Sequence, residues 1–388
     1  MRQPVRSLPR AAVAAAAVAA GLLAACANMP KPGGSDEKED LEAKKKYYEE
    51  SAQTYYDGGR YAQAVVQWRR LVELEPDRPK ANWGLAKSLS MLDTPASLRE
   101  AEQIFLRIKD WDWTHPTLGD RRHEVIKDFA DVYSQLADYY DRDARAIQEQ
   151  LASSPTADAP RLRQQMQVQI AKRNELLMKA IPLYEEALAR SPDNPYCLSG
   201  LAKAHLLVGD DQRGIDYARR YIALSERSQA LRAKQRDDWK TERGTLTEEQ
   251  EKFFRDRIRG ARDKEAKIRL LLASVLVRNR DYRGAITEYD RVLEIDPTTL
   301  AAYVERGQAY AMSGDYGKAV NDLEQYLKVT DPVKDRQARI DAAELLEKYR
   351  AILSAPAPRG PVPTRGAPPP PPPPAPLPPP PPTPLPAR

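Results

Sequence analysis

Two neighbouring stretches near the end of the chain decide its architecture: LASVLVRNRDYRGAITEYDRVLEIDP (residues 272–297) and RGQAYAMSGDYGKAVNDLEQYLKVTDP (residues 306–332). Their key residues recur with a spacing of 34, because Gly307 lies 34 residues after Ala273 and Ala319 lies 34 after Ala285. Small residues at these places let two helices approach closely. A proline at the end of each stretch stops a helix. The pattern predicts helical hairpins repeated in tandem.

This pattern resembles the tetratricopeptide repeat, a helix–turn–helix unit that recurs every 34 residues. One such hairpin cannot bury its apolar face alone, so the resemblance implies a stacked solenoid. The predicted fold class is all-α, a tetratricopeptide-type helical-hairpin solenoid with long helical insertions, an N-terminal lipoprotein signal and a disordered proline-rich C-terminal tail. The same 34-residue pattern places repeats at 45–78, 79–114, 161–194, 195–228, 266–299 and 300–333.

The first 25 residues have the features of a secretory signal. Three arginines precede an alanine-rich apolar run over residues 11–22, as in the positive and apolar regions of a signal peptide. The run is shorter than the ~20 apolar residues that cross a bilayer. It ends in LAAC (residues 23–26), which resembles the lipobox of bacterial lipoproteins. The resemblance implies cleavage before Cys26 and attachment of lipid to that residue, which then anchors the chain to a membrane.

Charge and cysteine content narrow the function classes. The formal net charge is +5, and removing residues 1–25, with three arginines and no acidic residue, lowers it to +2. Basic and acidic residues are interspersed, which argues against nucleic acid as a partner. Cys197 is the only cysteine besides Cys26, so the mature chain has no pair for an internal disulfide.

Two long stretches interrupt the 34-residue rhythm, and both are predicted to be helical. Residues 119–152 contain neither Gly nor Pro after Gly119, and their apolar residues recur at three- and four-residue spacing. Residues 229–265 are rich in charge and contain one turn signal, Gly244, followed by a predicted capping box at Thr247. We expect a projecting hairpin in which Trp239 meets Phe253 or Phe254.

The C-terminal region combines a capping helix with a tail of different composition. The cap carries a one-sided apolar stripe suited to closing a solenoid end: Ala342, Leu345, Leu346, Tyr349, Ile352 and Leu353. Proline dominates after residue 355, which predicts disordered polyproline II. The predicted segments are 1–25 signal, 26–35 tether, 36–118 N-terminal solenoid, 119–160 long helix and loop, 161–228 middle solenoid, 229–265 charged hairpin, 266–333 two repeats, 334–355 capping helix and 356–388 tail.

No pattern in the sequence predicts a catalytic, metal or cofactor site. His115 and His123 lack the partner at i, i+4 that a zinc pair needs. His205 and Cys197 are expected to be core residues of a repeat. Neither a glycine-rich phosphate loop nor a nucleophile elbow is present. The chain is therefore predicted to be non-enzymatic and to need no cofactor.

The resemblance implies instead a groove lined by the first helix of each repeat. The Lys-x-x-x-Asn pair with which some relatives hold C-terminal carboxylates is absent. The C-terminal half of the groove is expected to be apolar, which fits an amphipathic or extended peptide; the alternative is that these apolar residues pack on the next helix. Carried over residue by residue, the groove candidates are Gln53, Tyr56, Tyr196, Lys203, Leu206, Leu270, Ser274, Val277, Val304, Gln308 and Met312.

Together these features predict a protein-interaction scaffold or assembly factor in the bacterial cell envelope. Ala27 after the lipidated cysteine favours the periplasmic face of the outer membrane. The expected partners are envelope proteins and the membrane itself, with no nucleic acid. One alternative is a structural tether that acts through the lipid and the proline-rich tail, with contact to peptidoglycan. The other is an accessory subunit of an enzyme.

Overall fold

The computed structural model describes residues 37–113, 120–153, 158–332 and 335–355. These residues form thirteen α-helices and no strand, which confirms the predicted all-α solenoid. The helices are α1 Glu37–Asp57, α2 Tyr61–Leu74, α3 Pro79–Ser90, α4 Pro95–Ile108, α5 Arg122–Ser153, α6 Ala159–Arg190, α7 Pro195–Val208, α8 Asp211–Arg243, α9 Glu248–Arg278, α10 Tyr282–Ile295, α11 Leu300–Met312, α12 Tyr316–Val329 and α13 Arg336–Ser354.

The helices pair in sequence order into six antiparallel hairpins, from α1/α2 to α11/α12, and α13 packs on α12. Each hairpin also contacts the next one, as in a solenoid. In several hairpins the residue before the second helix satisfies a backbone N–H group at the start of that helix. For example, Asp281 and Asp315 accept backbone N–H bonds at the starts of α10 and α12, which satisfies donors that a helix cannot satisfy internally.

An aromatic residue on the second helix of a hairpin repeatedly packs against the first helix of the next. Trp68 lies against Gly84, and Tyr184 lies against Gly200, so closely that an added Cβ at either glycine would lie 2.5 Å from a ring carbon. Tyr289 instead donates its hydroxyl hydrogen bond to Glu305 at 2.8 Å. In all three pairs the partner lies sixteen residues further along the chain. The 34-residue period therefore fixes contacts between hairpins as well as within them.

The long hairpin α5/α6 takes the place of one repeat. Helix α5 confirms the helix predicted over 119–152. Residues 161–194, expected to contain a hairpin of their own, belong instead to the single helix α6 and the turn that follows it, and α6 runs through Pro182 without ending. Buried side chains on both sides of Pro182, including Leu177 and Tyr184, pack α6 against its neighbours, and this packing outweighs the proline's helix-breaking tendency.

The projecting hairpin of α8 and α9 has the geometry expected from the sequence. Helix α8 ends at Arg243, and Gly244 adopts a positive φ of 83° that favours glycine. Helix α9 starts with a capping box between Thr247 and Gln250. The Trp239 and Phe254 rings meet edge to face with centroids 6.3 Å apart. Gly244 and the Thr247 capping box therefore predicted the position of this turn correctly.

Helix α13 covers the last hairpin with a narrower apolar face than predicted. Ala342, Leu346 and Tyr349 are buried against α12. Ile352 and Leu353 are 41% and 54% exposed, so the predicted stripe is only partly used. Of the described helices, none has both the length and the apolar character needed to cross a membrane. Cys26, His115 and the proline-rich tail lie outside the described residues.

Candidate functional site

The first helices of five successive hairpins line one cavity, which we call the groove. Its volume is about 710 Å³. Helices α1, α3, α5 and α9 each contribute side chains, and α7 contributes its N-terminal end. The lining residues are Tyr56, Lys87, Ser90, Met91, His123, Glu124, Lys127, Asp128, Asp131, Gln135, Asn194, Tyr196 and Lys264. No single repeat could form this surface.

A network of charged side chains on α5 forms the floor of the groove. The Lys127 ammonium lies 2.5 Å from Asp128 and 2.8 Å from Asp131. Burial alone would lower the pKa of Lys127, but the two carboxylates outweigh it and raise that pKa. Asp128 accepts a hydrogen bond from the Trp83 indole N–H at 2.8 Å, and Asp131 accepts one from the Tyr184 hydroxyl at 2.7 Å. The floor is thus ion-paired within itself, with one ammonium held between two carboxylates, and tied to the core.

Tyr196 rises from this floor at the start of α7. The Asn194 side chain accepts the backbone N–H bonds of Tyr196 and Cys197, and Pro195 occupies the first helical turn, so the position of Tyr196 is fixed by its helix cap. Tyr196 is 53% exposed. The ammonium groups of Lys127 and Lys264 lie 5.3 Å and 4.7 Å from the ring centroid, within the range of cation–π attraction.

Lys87 and Tyr56 occupy the opposite wall. The Lys87 ammonium lies 5.3 Å from the Tyr56 ring centroid and 5.5 Å from that of Trp83. Burial and the nearby Asp128 raise the pKa of Tyr56 to about 12. Among the described residues neither Lys87 nor Lys264 forms a salt bridge, in contrast to Lys127. The walls therefore present two ammonium groups that form no salt bridge among the described residues, above a floor with two carboxylates for one ammonium.

Comparison with known proteins explains the repeated hairpins. Three family models match the chain: a tetratricopeptide repeat over residues 272–347, a TPR repeat over residues 52–93 and a further tetratricopeptide repeat over residues 166–229. These three parts of the chain therefore match tetratricopeptide repeats, in agreement with the hairpins seen there. Such repeats are modules of protein–protein interaction, and they present a concave surface to their partners.

Solved structures, among them that of a tetratricopeptide-repeat (TPR) protein, resemble the chain at low identity. The C-terminal part of a TPR repeat-containing protein from Cytophaga hutchinsonii is 15% identical, with 79% of this chain and 89% of that chain covered and a TM-score of 0.47. PilF from Pseudomonas aeruginosa is 13% identical, with 78% and 99% covered and a TM-score of 0.42. No curated protein matches the chain.

The structure brings two of the groove residues expected from the TPR register into the cavity, Tyr56 and Tyr196. Gln53 is exposed and donates to Asp57 at 2.9 Å. Lys203 donates to Ser134 on α5 at 3.2 Å. Leu206 is only 1% exposed and packs against Gly214. It is a core residue and does not face a ligand, because close packing of α7 on α8 takes up its side chain.

The C-terminal candidates lie apart from the groove. Leu270 and Val277 are half-buried and pack against the main core, and Val304 packs against the smaller C-terminal core, so these apolar residues serve the contact between helices. Gln308 is half-buried, whereas Ser274 and Met312 are exposed. None of the six lines the groove cavity.

Several groove residues were missed by sequence reasoning. The repeat register that pointed to Tyr56 also points, when applied to 79–114, to Lys87, Ser90 and Met91, all of which line the cavity. A signal for them was therefore present. Lys127 and the rest of the α5 floor had no such signal, because 119–152 was not assigned to a repeat.

The remaining candidate chemical groups are structural. His205 is buried, lies 3.1 Å from an Asp210 oxygen through its Nδ1 and stacks on Tyr217. Cys197 is buried, and this burial raises the pKa of its thiol to about 12. In the part of the chain that the structure describes, no three His, Cys, Asp or Glu side chains are placed to hold a metal ion.

Proposed function

We propose that this chain is a non-enzymatic protein-interaction scaffold that holds a segment of a partner protein in the groove. One observation carries the proposal: side chains from five hairpins converge on a single cavity of about 710 Å³. Exposed aromatic rings such as Tyr196 are typical of surfaces that become buried on binding. The Lys87 ammonium forms no salt bridge with a described residue, so it can pair with an acidic group of the partner. A groove of this kind suits an extended or helical peptide.

Neither Lys127 nor Tyr56 is free to act as a base at neutral pH, which fits a groove that binds a ligand. The raised pKa of Lys127 keeps it a cation at neutral pH, and a cationic lysine cannot act as a base. Tyr56, with a pKa of about 12, stays a neutral phenol. The Cys197 thiol is buried and protonated, so it is unsuited to nucleophilic attack.

The proposal includes an anchor in the bacterial cell envelope through lipid on Cys26. Its support is the N-terminal sequence, in which three arginines precede an apolar segment that ends in LAAC at residues 23–26. The periplasmic face of the outer membrane is the proposed location. Cys26→Ser should abolish incorporation of labelled fatty acid and shift the protein from the membrane fraction to the soluble fraction. Unchanged membrane attachment of this variant would refute lipid anchoring.

The groove is tested by site-specific photo-crosslinking in cells. A photoreactive amino acid at Tyr56, which lines the groove, should form adducts with one or a few defined proteins. The matched control position is Leu106, which is 41% exposed on α4, a second helix. Lys87→Glu should suppress the adducts from Tyr56, and ending the chain after residue 355 should preserve them.

The outcome also separates the scaffold from a tether. If adducts form equally at Tyr56 and Leu106, or at neither, the groove is not the binding surface. If, in addition, the chain that ends after residue 355 loses its association with peptidoglycan, the tether acting through the tail becomes the better account.

A further inference from the structure

A second cavity of about 540 Å³ lies between the start of α7 and the projecting hairpin of α8 and α9. We call it the hairpin cavity. Its apolar base includes Tyr221, which is 4% exposed, and the half-buried Leu224. Gly260 leaves open space where another residue would project a side chain. The repeat pattern alone would not create this cavity, because its outer wall comes from the insertion at residues 229–265.

The hairpin cavity has an excess of positive charge. Three cationic side chains line it, Arg232, Arg257 and Lys264, against one carboxylate, Asp193. None of the three cations forms a salt bridge with another described residue. Lys264 and Arg257 lie instead over aromatic rings, 4.7 Å from the centroid of Tyr196 and 4.8 Å from that of Phe253. Cations held in this way remain available to a negatively charged ligand.

The hairpin cavity adjoins the groove. Tyr196 and Lys264 line both cavities, so a segment that extends past the Tyr196 side chain would contact both. Together the two cavities form a concave surface with the exposed Tyr196 at its centre and, on both sides, cations such as Lys87 and Arg257 that form no salt bridge with a described residue. A concave surface of this kind admits a chain segment, whereas the flat surface of a bilayer cannot follow it.

We infer that the hairpin cavity binds an acidic segment of the partner protein, with Asp or Glu side chains at Arg232, Arg257 and Lys264 and an apolar side chain on the base formed by Tyr221 and Leu224. This inference rests on the proposed function and gives the partner a chemical class. The tail of this chain is excluded as the occupant, since residues 356–388 contain three arginines and no acidic residue.

The test uses the full-length chain carrying Cys26→Ser and a short fluorescein-labelled peptide in which glutamate alternates with leucine. Fluorescence anisotropy should show binding that weakens with added salt and is absent for the same peptide with glutamine in place of glutamate. Arg257→Glu should weaken binding about tenfold. Arg259→Glu is the matched control, because it makes the same charge change on the same helix but lines the opposite side of the hairpin, and it should change binding less than about twofold.

The inference is overturned if the acidic peptide does not bind, if the glutamine peptide binds equally well, or if the two arginine variants are equivalent. It is also overturned if vesicles of anionic phospholipid compete with the peptide and bind with the same sensitivity to Arg257→Glu. Circular dichroism of both variants should match that of the parent chain, because both arginines are exposed.

Photo-crosslinking separates this inference from the proposed function. If Arg257→Glu leaves the adducts at Tyr56 intact, while Lys87→Glu removes them, the acidic-segment inference fails and the groove scaffold stands. If neither substitution affects the adducts, both fail. Loss of adducts with Arg257→Glu but not with Arg259→Glu supports both.

Discussion

The Tyr184 ring occupies the space that a side chain at position 200 would need. A Cβ added at Gly200 would lie 2.5 Å from the ring, and a buried aromatic cannot move aside cheaply in a close-packed core. We predict that Gly200→Ala lowers the free energy of unfolding by about 2 kcal/mol. Urea denaturation followed by circular dichroism measures the change.

Gly260 provides the matched control for this prediction. It also lies inside a helix, but an added Cβ would meet nothing within 4 Å. Gly260→Ala should leave stability unchanged or raise it by up to ~1 kcal/mol, because alanine has the better helix propensity. Equal effects of the two substitutions would show that the Tyr184 contact does not constrain position 200.

The Cys197 thiol gives a second prediction at the scale of one residue. Because burial raises its pKa to about 12, the folded chain holds this proton to a higher pH than the unfolded chain does. The thiol's contribution to stability is therefore complete below the unfolded pKa of about 8.5. It is lost as the pH rises from there to the folded pKa of about 12.

In the Cys26→Ser chain, Cys197 is the only thiol. It should not react with a disulfide reagent near neutral pH under native conditions, and it should react fully in concentrated guanidinium chloride. Rapid reaction of the folded chain would contradict its burial.

Arg269 joins three helices at the base of the projecting hairpin. Its guanidinium, 5% exposed, lies 2.8 Å from Glu265 on α9, 2.6 Å from Glu288 on α10 and 2.5 Å from Glu226 on α8. Arg269→Met should cost about 3 kcal/mol, because it leaves the buried Glu265 carboxylate without its ion-pair partner and with the neutral Gln229 amide as its remaining donor. Arg269→Met combined with Glu265→Met should recover part of the loss.

Hydrogen exchange measures this effect element by element. The amides of α8, α9 and α10 near the joint should lose protection in Arg269→Met, and those of α3 and α4 should not, because a solenoid couples mainly neighbouring repeats. A uniform loss of protection along the chain would contradict this locality.

Elements were predicted well where their signals are local and poorly where packing decides. Gly244 and the Thr247 capping box fixed the hairpin turn because both act within a few residues. Residues 161–194 lie mostly in one long helix where a repeat hairpin was expected, because the burial of neighbours such as Tyr184 outweighs the helix-breaking tendency of Pro182. The sequence alone does not show how much burial a helix will gain from a neighbour that has not yet been placed.

At the scale of the whole molecule, the chain should tolerate loss of its tail but not of its last helix. Helix α13 covers Leu323 and Tyr326 on α12, and without it these residues would meet water. We predict that a chain ending after Val329 melts several degrees lower and binds a hydrophobic dye. A chain ending after residue 355 should melt like the full-length chain. Identical melting of both truncations would show that α13 is not a cap.

The groove was harder to predict than the solenoid that carries it. Tyr56 and Tyr196 followed from the repeat register, and Lys87 would have followed from it too. The α5 floor and Lys264 depend on how far the superhelix turns, and this rotation accumulates over five hairpins. A small error per repeat therefore moves the site, although it leaves each hairpin recognisable.

The pairing of helices in sequence order has a consequence for how the chain matures. Each hairpin meets its main partners within a few dozen residues, so folding can keep pace with the emergence of the chain from a ribosome or a translocation channel. The groove is different, because Tyr56 and Lys264 belong to the first and the fifth hairpins. An unfinished chain can therefore be well folded and still lack a completed groove, so we expect the proposed partner to bind only after the fifth hairpin has folded.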